Sequence, residues 1–243
     1  MIPALFLAGR LALASAAEPQ EPERFGDVEL SLGGYQPNID QGLAQKPYET
    51  IFGGGRGLVF RADFTKTLFT GFGSLGVGVG LGYFSRSGHG IYAQNAGQGL
   101  AGLVSGDTTA LHIIPSRLTL TYRFDLLVER FGIPLAPYAR VAYDRYWWWV
   151  TNGSGNTASY TANGKTTWGT GATNGYSLGG GLAFLLDFVD PTLSRDLDRD
   201  TGIHHTYIFV DLTKSFVDNF GSSTSWDLSD AQVTLSGGLI FVF

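Results

Sequence analysis

A histidine held beside a serine by an acid can activate that hydroxyl for acyl transfer, so the histidines are the first residues to weigh. His89 and His112 flank a long connection, but Ile91 and Ile114 stand two places further on, where a His-x-Ser pair would need serine. His204 and His205 are adjacent, so on a strand they face opposite sides and cannot chelate one ion together. Asp196, Asp198 and Asp200 have calcium-loop spacing, yet Thr201 replaces the sharp-turn glycine and Tyr207 the bidentate glutamate. "GFGSLG", Gly71 to Gly76, matches a dinucleotide fingerprint, but a Val-Gly alternation follows where a helix must open. "GKT", Gly164 to Thr166, has Ser159 in place of the upstream glycine of a phosphate loop. "YWWW", Tyr146 to Trp149, reads either as a ligand platform or as an interfacial anchor. The sequence therefore predicts no catalytic residue, no cofactor and no metal site.

The charges form a more coherent set. Arg61, Arg117, Arg123 and Arg140, with Glu29, Asp63, Asp144 and Asp211, lie opposite the apolar face of alternating segments. There are four of each sign, and they suit a paired polar interior.

Eight segments carry this alternation, which marks half-buried strands. They fall near Phe25–Tyr35, Gly55–Lys66, Gly71–Phe84, Ala110–Leu126, Ala136–Val150, Gly175–Phe188, His204–Val217 and Trp226–Phe243. The uncharged stretch from Thr67 to Ser85 is glycine-rich, and glycine costs about 1 kcal/mol per helix position relative to alanine, so it is no membrane helix. Connections after the first, third and fifth segments are long and those after the second and fourth are short, the parity of a barrel with external loops and periplasmic turns. The connection after the sixth predicts a helix of one or two turns, with Asp190 as N-cap, Pro191 as first residue and Gly202 as terminator.

Alternation alone does not choose the outward face, because a lipocalin-like soluble barrel would turn the same leucines and phenylalanines inward. The charges of both signs on the opposite face and aromatic residues at both ends decide it. Tyr35, Tyr83, Tyr146, Trp147, Trp149 and Trp226 gather at one end, and Phe25, Phe72, Phe124, Phe188 and Phe243 at the other, as two membrane interfaces require.

Composition agrees. The chain has 243 residues, 35 glycines, 15% charged residues and no cysteine, which excludes disulfides, thiolate metal sites and a cysteine nucleophile. A net charge of −5 with scattered cations excludes a nucleic-acid footprint. An apolar run from Ala4 to Ala14, closed by Ser15 and Ala16, predicts a signal peptide over residues 1–17 and a barrel over 18–243. A buried N-terminal helix is the alternative, set against the abrupt polar stretch from Glu18 to Arg24.

The C-terminal residues "SGGLIFVF" carry Ser236, Gly238, Phe241 and terminal Phe243 in the pattern of the outer-membrane barrel assembly signal. On these residues and the eight segments, the chain resembles small eight-stranded outer-membrane barrels of the OmpA and OmpX type. With "FGGGRGL" (Phe52 to Leu58) and "DPT…LD" (Asp190 to Asp198), it is similar to an uncharacterised group of small myxobacterial barrels. The resemblance implies an all-β, closed antiparallel up-and-down transmembrane barrel of about eight strands in the bacterial outer membrane. Expected partners are outer-membrane lipid, lipopolysaccharide and the barrel assembly machinery, with no nucleic acid and a monomeric state. The resemblance assigns no function by itself. The expectation is a noncatalytic barrel serving envelope structure or surface contacts through loops near Gln36–Gly54, Ser85–Thr109 and Thr151–Asn174. A narrow channel or hydrophobic-ligand conduit is the alternative, favoured if the glycine faces of the third and sixth segments leave a continuous cavity; a lipid-modifying enzyme is the third reading.

Overall fold

The computed structural model describes residues 25–91, 103–162 and 164–243; the expected signal segment, 1–17, lies outside them. Eight strands close on themselves: β1 (Gly26–Tyr35), β2 (Gly57–Thr70), β3 (Ser74–Ile91), β4 (Val104–Arg123), β5 (Leu135–Thr151), β8 (Thr170–Leu185), β9 (His205–Phe216) and β10 (Thr234–Val242). Each pairs antiparallel with its neighbours in chain order, and β1 closes the cylinder against β10 with Leu30 opposite Leu239. The two remaining strands, β6 (Ser159–Ala162) and β7 (Lys165–Trp168), form a separate hairpin between β5 and β8. Closure leaves no unpaired edge, which a sheet crossing hydrocarbon cannot carry.

The outward face is apolar. Leu32, Leu58, Val79, Leu81, Leu118, Val141, Leu182, Val210 and Leu235 are exposed, while Glu29, Arg61, Asp63, Arg123, Arg140, Asp144 and Asp211 are buried. The period-two pattern has therefore placed its charges inside, and the lipocalin-like orientation is excluded.

Several features differ from the sequence reading. The second external loop is shorter than Ser85–Thr109, because β3 and β4 continue pairing outward through Ser85↔His112 and His89↔Thr108. The eighth strand starts at Thr234, not near Trp226, so 217–233 forms a fourth external connection. The turn after β4 contains a helix, α2 (Leu126–Phe131), which follows the earlier helix α1 (Pro47–Phe52) of the first external loop. On the periplasmic side, α3 (Pro191–Thr201) is capped as expected: Asp190 Oδ1 accepts the Thr192 N–H at 3.1 Å, and Gly202 takes φ +73° to end it. At eleven residues it runs longer than the expected two turns.

Candidate functional site: a lumen filled in three tiers

The interior is built from alternate residues of all eight barrel strands. At the external end, Tyr35, Val59, Phe84, Leu111, Ile113 and Tyr146 pack with Tyr48 of α1 and Leu228 of the last loop. Near the periplasmic end, Ala136, Tyr138, Ala183, Tyr207, Phe209, Ile240 and Val242 form a second apolar cluster. The charges lie between. Tyr35 and Tyr146, expected among the interfacial aromatics, instead point inward, at 1% and 2% exposure. Tyr83 and Trp147 do face outward, as do Phe25, Phe72 and Phe188 at the other end.

The sequence-predicted charges form three local sets. Arg117 clasps Asp63 through Nε–Oδ1 at 2.6 Å and Nη2–Oδ2 at 2.7 Å, and stands 3.7 Å from Glu29. Arg140 donates through both Nη atoms to Glu29, and its Nε reaches Thr121 Oγ1 at 3.2 Å. Two-pronged guanidinium–carboxylate pairs fix both partners geometrically. Nearer the periplasm, Arg123 binds Asp125 at 3.0 Å and Asp27 at 3.3 Å.

The other predicted residues are satisfied differently. Asp211 accepts from the hydroxyls of Tyr138 (3.1 Å), Thr213 (2.5 Å) and Ser236 (3.5 Å). Arg61 lies beside Tyr146 and Asp144 beside Ser177, and among the described residues Asp144 Oδ2 has no hydrogen-bond partner. The expected balance of four against four is corrected: Asp27, Asp125 and Asp230 are also buried carboxylates, so the interior is acid-rich. Asp27 was readable, since it continues the polar alternation of Glu29. Asp125 and Asp230 sit outside the strands, where periodicity gives no sign of burial.

Asp230 locks the external end. Its Oδ2 accepts from Arg56 Nη2 at 2.9 Å and from Thr234 Oγ1, tying the last loop to the first. Arg56 also donates to the Gly34 and Val233 carbonyls.

The glycine faces of β3 and β8 are occupied by neighbours. A Cβ at Gly80 would collide with Asp63 Oδ1, one at Gly78 would stand 2.6 Å from Thr119 Oγ1, and one at Gly181 would stand 2.8 Å from the Tyr138 hydroxyl. The Val-Gly stretch that follows the fingerprint-like Gly71 to Gly76 thus serves side-chain packing. A cavity of about 10 Å³ remains beside Asp27, Ser74 and Arg123, room for about one water.

The histidines separate. His112 faces outward, with Nδ1 2.9 Å from Tyr83 Oη and 3.1 Å from Ser85 Oγ, Nε2 3.2 Å from Thr151 Oγ1, and its ring stacked on Trp149. Each of these partners is neutral. His204 and His205 pair with Asp198 and Asp187 at the periplasmic end. Among the described residues no cluster of His, Asp and Glu has the form of a metal site.

The C-terminal signal residues divide between the faces: Ser236 points into the lumen, and Phe241, between inward Ile240 and Val242, points outward. Gly238 lies so close to β1 that a Cβ would collide with the Leu30 carbonyl, so glycine is required at the closing seam.

The class of protein that fold and interior define is a closed eight-stranded antiparallel up-and-down β-barrel, apolar outside and filled by polar and aromatic side chains. No protein-family model matches the chain, and no curated protein matches it. Among solved structures it is similar to Neisserial surface protein A, at TM-score 0.41 and 9% identity over 90% of this chain and 96% of that one. It is also similar to a major outer membrane protein from Thermus thermophilus (0.40, 17%, 90% and 98%) and to the outer membrane enzyme PagL (0.38, 12%, 89% and 98%). At these TM-scores the fold assignment rests on the chain's own strand pairing.

Proposed function

We propose that the protein is a plugged, noncatalytic barrel of the bacterial outer membrane that contributes to envelope structure and surface contacts through its external loops. The observation that carries this reading is a filled lumen beneath an outward apolar belt. In water that belt would expose leucines on every side, whereas hydrocarbon accommodates them. Two apolar clusters and the ion pairs between them occupy the path a solute would take. The condition for a conduit, continuous space along the glycine faces, is opposed by the side chains lying over Gly78, Gly80 and Gly181. Against catalysis stands the surrounding of His112, whose partners among the described residues are all neutral, with no acid among them to orient the imidazole toward a serine.

In this reading the chain is a monomer in contact with outer-membrane lipid and lipopolysaccharide, delivered by the barrel assembly machinery through its C-terminal residues. Purified protein reconstituted into planar bilayers should insert and stay electrically silent. Steady single-channel openings would defeat the plugged-barrel reading.

A further inference from the structure

On the outward wall, the row Ala62–Leu81–Ser116–Arg145 runs across β2 to β5, each residue paired to the next. Ala62 and Ser116 are small among larger neighbours, and the wall sinks there into a groove of about 680 Å³ whose sides include Phe64, Leu118 and Tyr143. That volume lies within the roughly 300–1,000 Å³ usual for small-molecule sites. A membrane strand crosses in about 9–11 residues, so counting from Leu135 at the periplasmic start of β5 puts Arg145 at the outer interface. Val28, at the opposite end of the groove, lies close to Gly26 at the periplasmic start of β1. Strands of such barrels tilt by about 35–45°, so a cross-strand groove descends obliquely from the interface into the hydrocarbon.

Among the described residues Arg145 is held but not neutralised. Its guanidinium lies 4.3 Å from the Trp147 ring centroid and 3.4 Å from Asn174 Oδ1, both neutral partners. Ser116 Oγ donates to the Arg145 carbonyl at 2.6 Å and receives the Trp147 Nε1–H at 3.3 Å, which fixes the indole beneath the cation. A planar guanidinium with free N–H donors at the rim of an apolar trough matches a phosphate joined to acyl chains.

We propose that this groove is a binding site for a phosphate-bearing acylated lipid of the outer leaflet, with one acyl chain along Leu81, Leu118 and Phe64 and the phosphate on Arg145. The proposal rests on the outer-membrane reading. Selectivity arises because the chain supplies area and the guanidinium supplies a charge-assisted pair; neither alone holds the lipid.

The test uses the whole folded barrel in phosphatidylcholine nanodiscs doped with lipid A, with retained lipid counted by native mass spectrometry after release. Wild type should retain one lipid A in preference to phosphatidylcholine, and Arg145→Gln should retain it about tenfold less well. Ala62→Trp, which fills the groove and keeps the charge, should lose it similarly. Lys66→Gln, which removes another outward cation, should behave as wild type. Dephosphorylated lipid A should not be retained, and free inorganic phosphate should not compete. Equal retention by all three variants, or of lipid A and phosphatidylcholine, would overturn the proposal. Heat-dependent gel migration establishes that each variant is folded in the disc. A folded barrel that retains no lipid A sinks only this site, whereas failure of wild type to enter any bilayer sinks the outer-membrane reading along with it.

Discussion

Glu29→Gln tests whether the lumen is held by its charges. Glu29 is 3% exposed, receives both Nη atoms of Arg140 and lies 3.7 Å from Arg117. Glutamine keeps the shape and one acceptor oxygen, but it removes the charge and turns an NH₂ group toward a guanidinium that has nothing to accept with. Removing one partner from a buried pair costs about 3–5 kcal/mol, because the other charge is left uncompensated. Two features reduce the loss: Arg117 keeps its clasp on Asp63, and Arg140 keeps Thr121 and the face of Tyr138, 5.5 Å away. The expected cost is therefore about 3 kcal/mol, the lower end of the range, out of a total stability of about 5–15 kcal/mol. Reversible urea unfolding from lipid vesicles, followed by the fluorescence of the five tryptophans, measures it. The double variant Glu29→Leu/Arg140→Met removes the pair and its desolvation together, and should lie within about 1 kcal/mol of wild type. A single variant costing under about 1 kcal/mol, or a double variant as unstable as the single, would refute the account of these charges as mutually compensating.

Four further outcomes follow from the same structure. Leu120→Arg, on the outward face near mid-wall, should cost about 2–4 kcal/mol in vesicle unfolding, and a neutral result would undermine the face assignment. Asp230→Asn should make limited proteolysis cut the first and last external loops faster, since Asp230 joins them through Arg56; equal cleavage would show the latch to be unimportant. Deleting Phe243 should impair assembly in cells more than refolding into detergent, and normal surface levels without it would remove the C-terminal signal argument. The Tyr48 phenol, buried in the external cap, is pushed up to about 12, mainly by desolvation. Because its folded value is raised, its contribution is complete below the unfolded value near 10 and is lost as pH rises through about 12. Loop proteolysis in that window should rise more in wild type than in Tyr48→Phe, and identical profiles would exclude Tyr48 as the cause.

Strand number and facing were legible because charge and hydrophobicity alternate cleanly where the wall meets both lipid and the ionic tier. Leu118, Thr119 and Leu120 state both faces in three letters. Legibility fails where both faces are apolar. Around Leu111–Ile114 and Tyr207–Val210, inward Ile113 and Phe209 belong to the two apolar clusters, and no alternation separates them from outward neighbours. The two end tiers were therefore invisible. The stretch from Trp226 to Val233 failed differently: its spacing imitates a strand, yet Leu228 turns into the lumen from a loop, with Tyr35 donating to its carbonyl at 2.5 Å. Nor could spacing have united Ala62, Ser116 and Arg145, which come from three strands and share a groove only through register.

Register itself explains why a chain would keep costly charges in an interior that leucines could fill. A one-residue slip in any strand exchanges its two faces. For β1 a slip would drive Asp27 and Glu29 into hydrocarbon and bring Leu30 against Arg140; for β4 it would expose Arg117 and Arg123 to lipid. Each such charge at the bilayer midplane costs about 2–4 kcal/mol for a cation, and the abandoned partner adds the loss worked out above for Glu29. An all-leucine interior would penalise the same slip hardly at all, because both faces would then suit lipid. The ion pairs thus contribute little net stability over an apolar replacement, yet they separate the correct pairing from its neighbours by several such penalties. Glu29→Leu/Arg140→Met should accordingly match wild type in equilibrium stability while refolding with a larger fraction of misregistered, protease-sensitive barrels. Refolding yields equal to wild type would show that β1 finds its register from the turns and the closing seam at Gly238 alone.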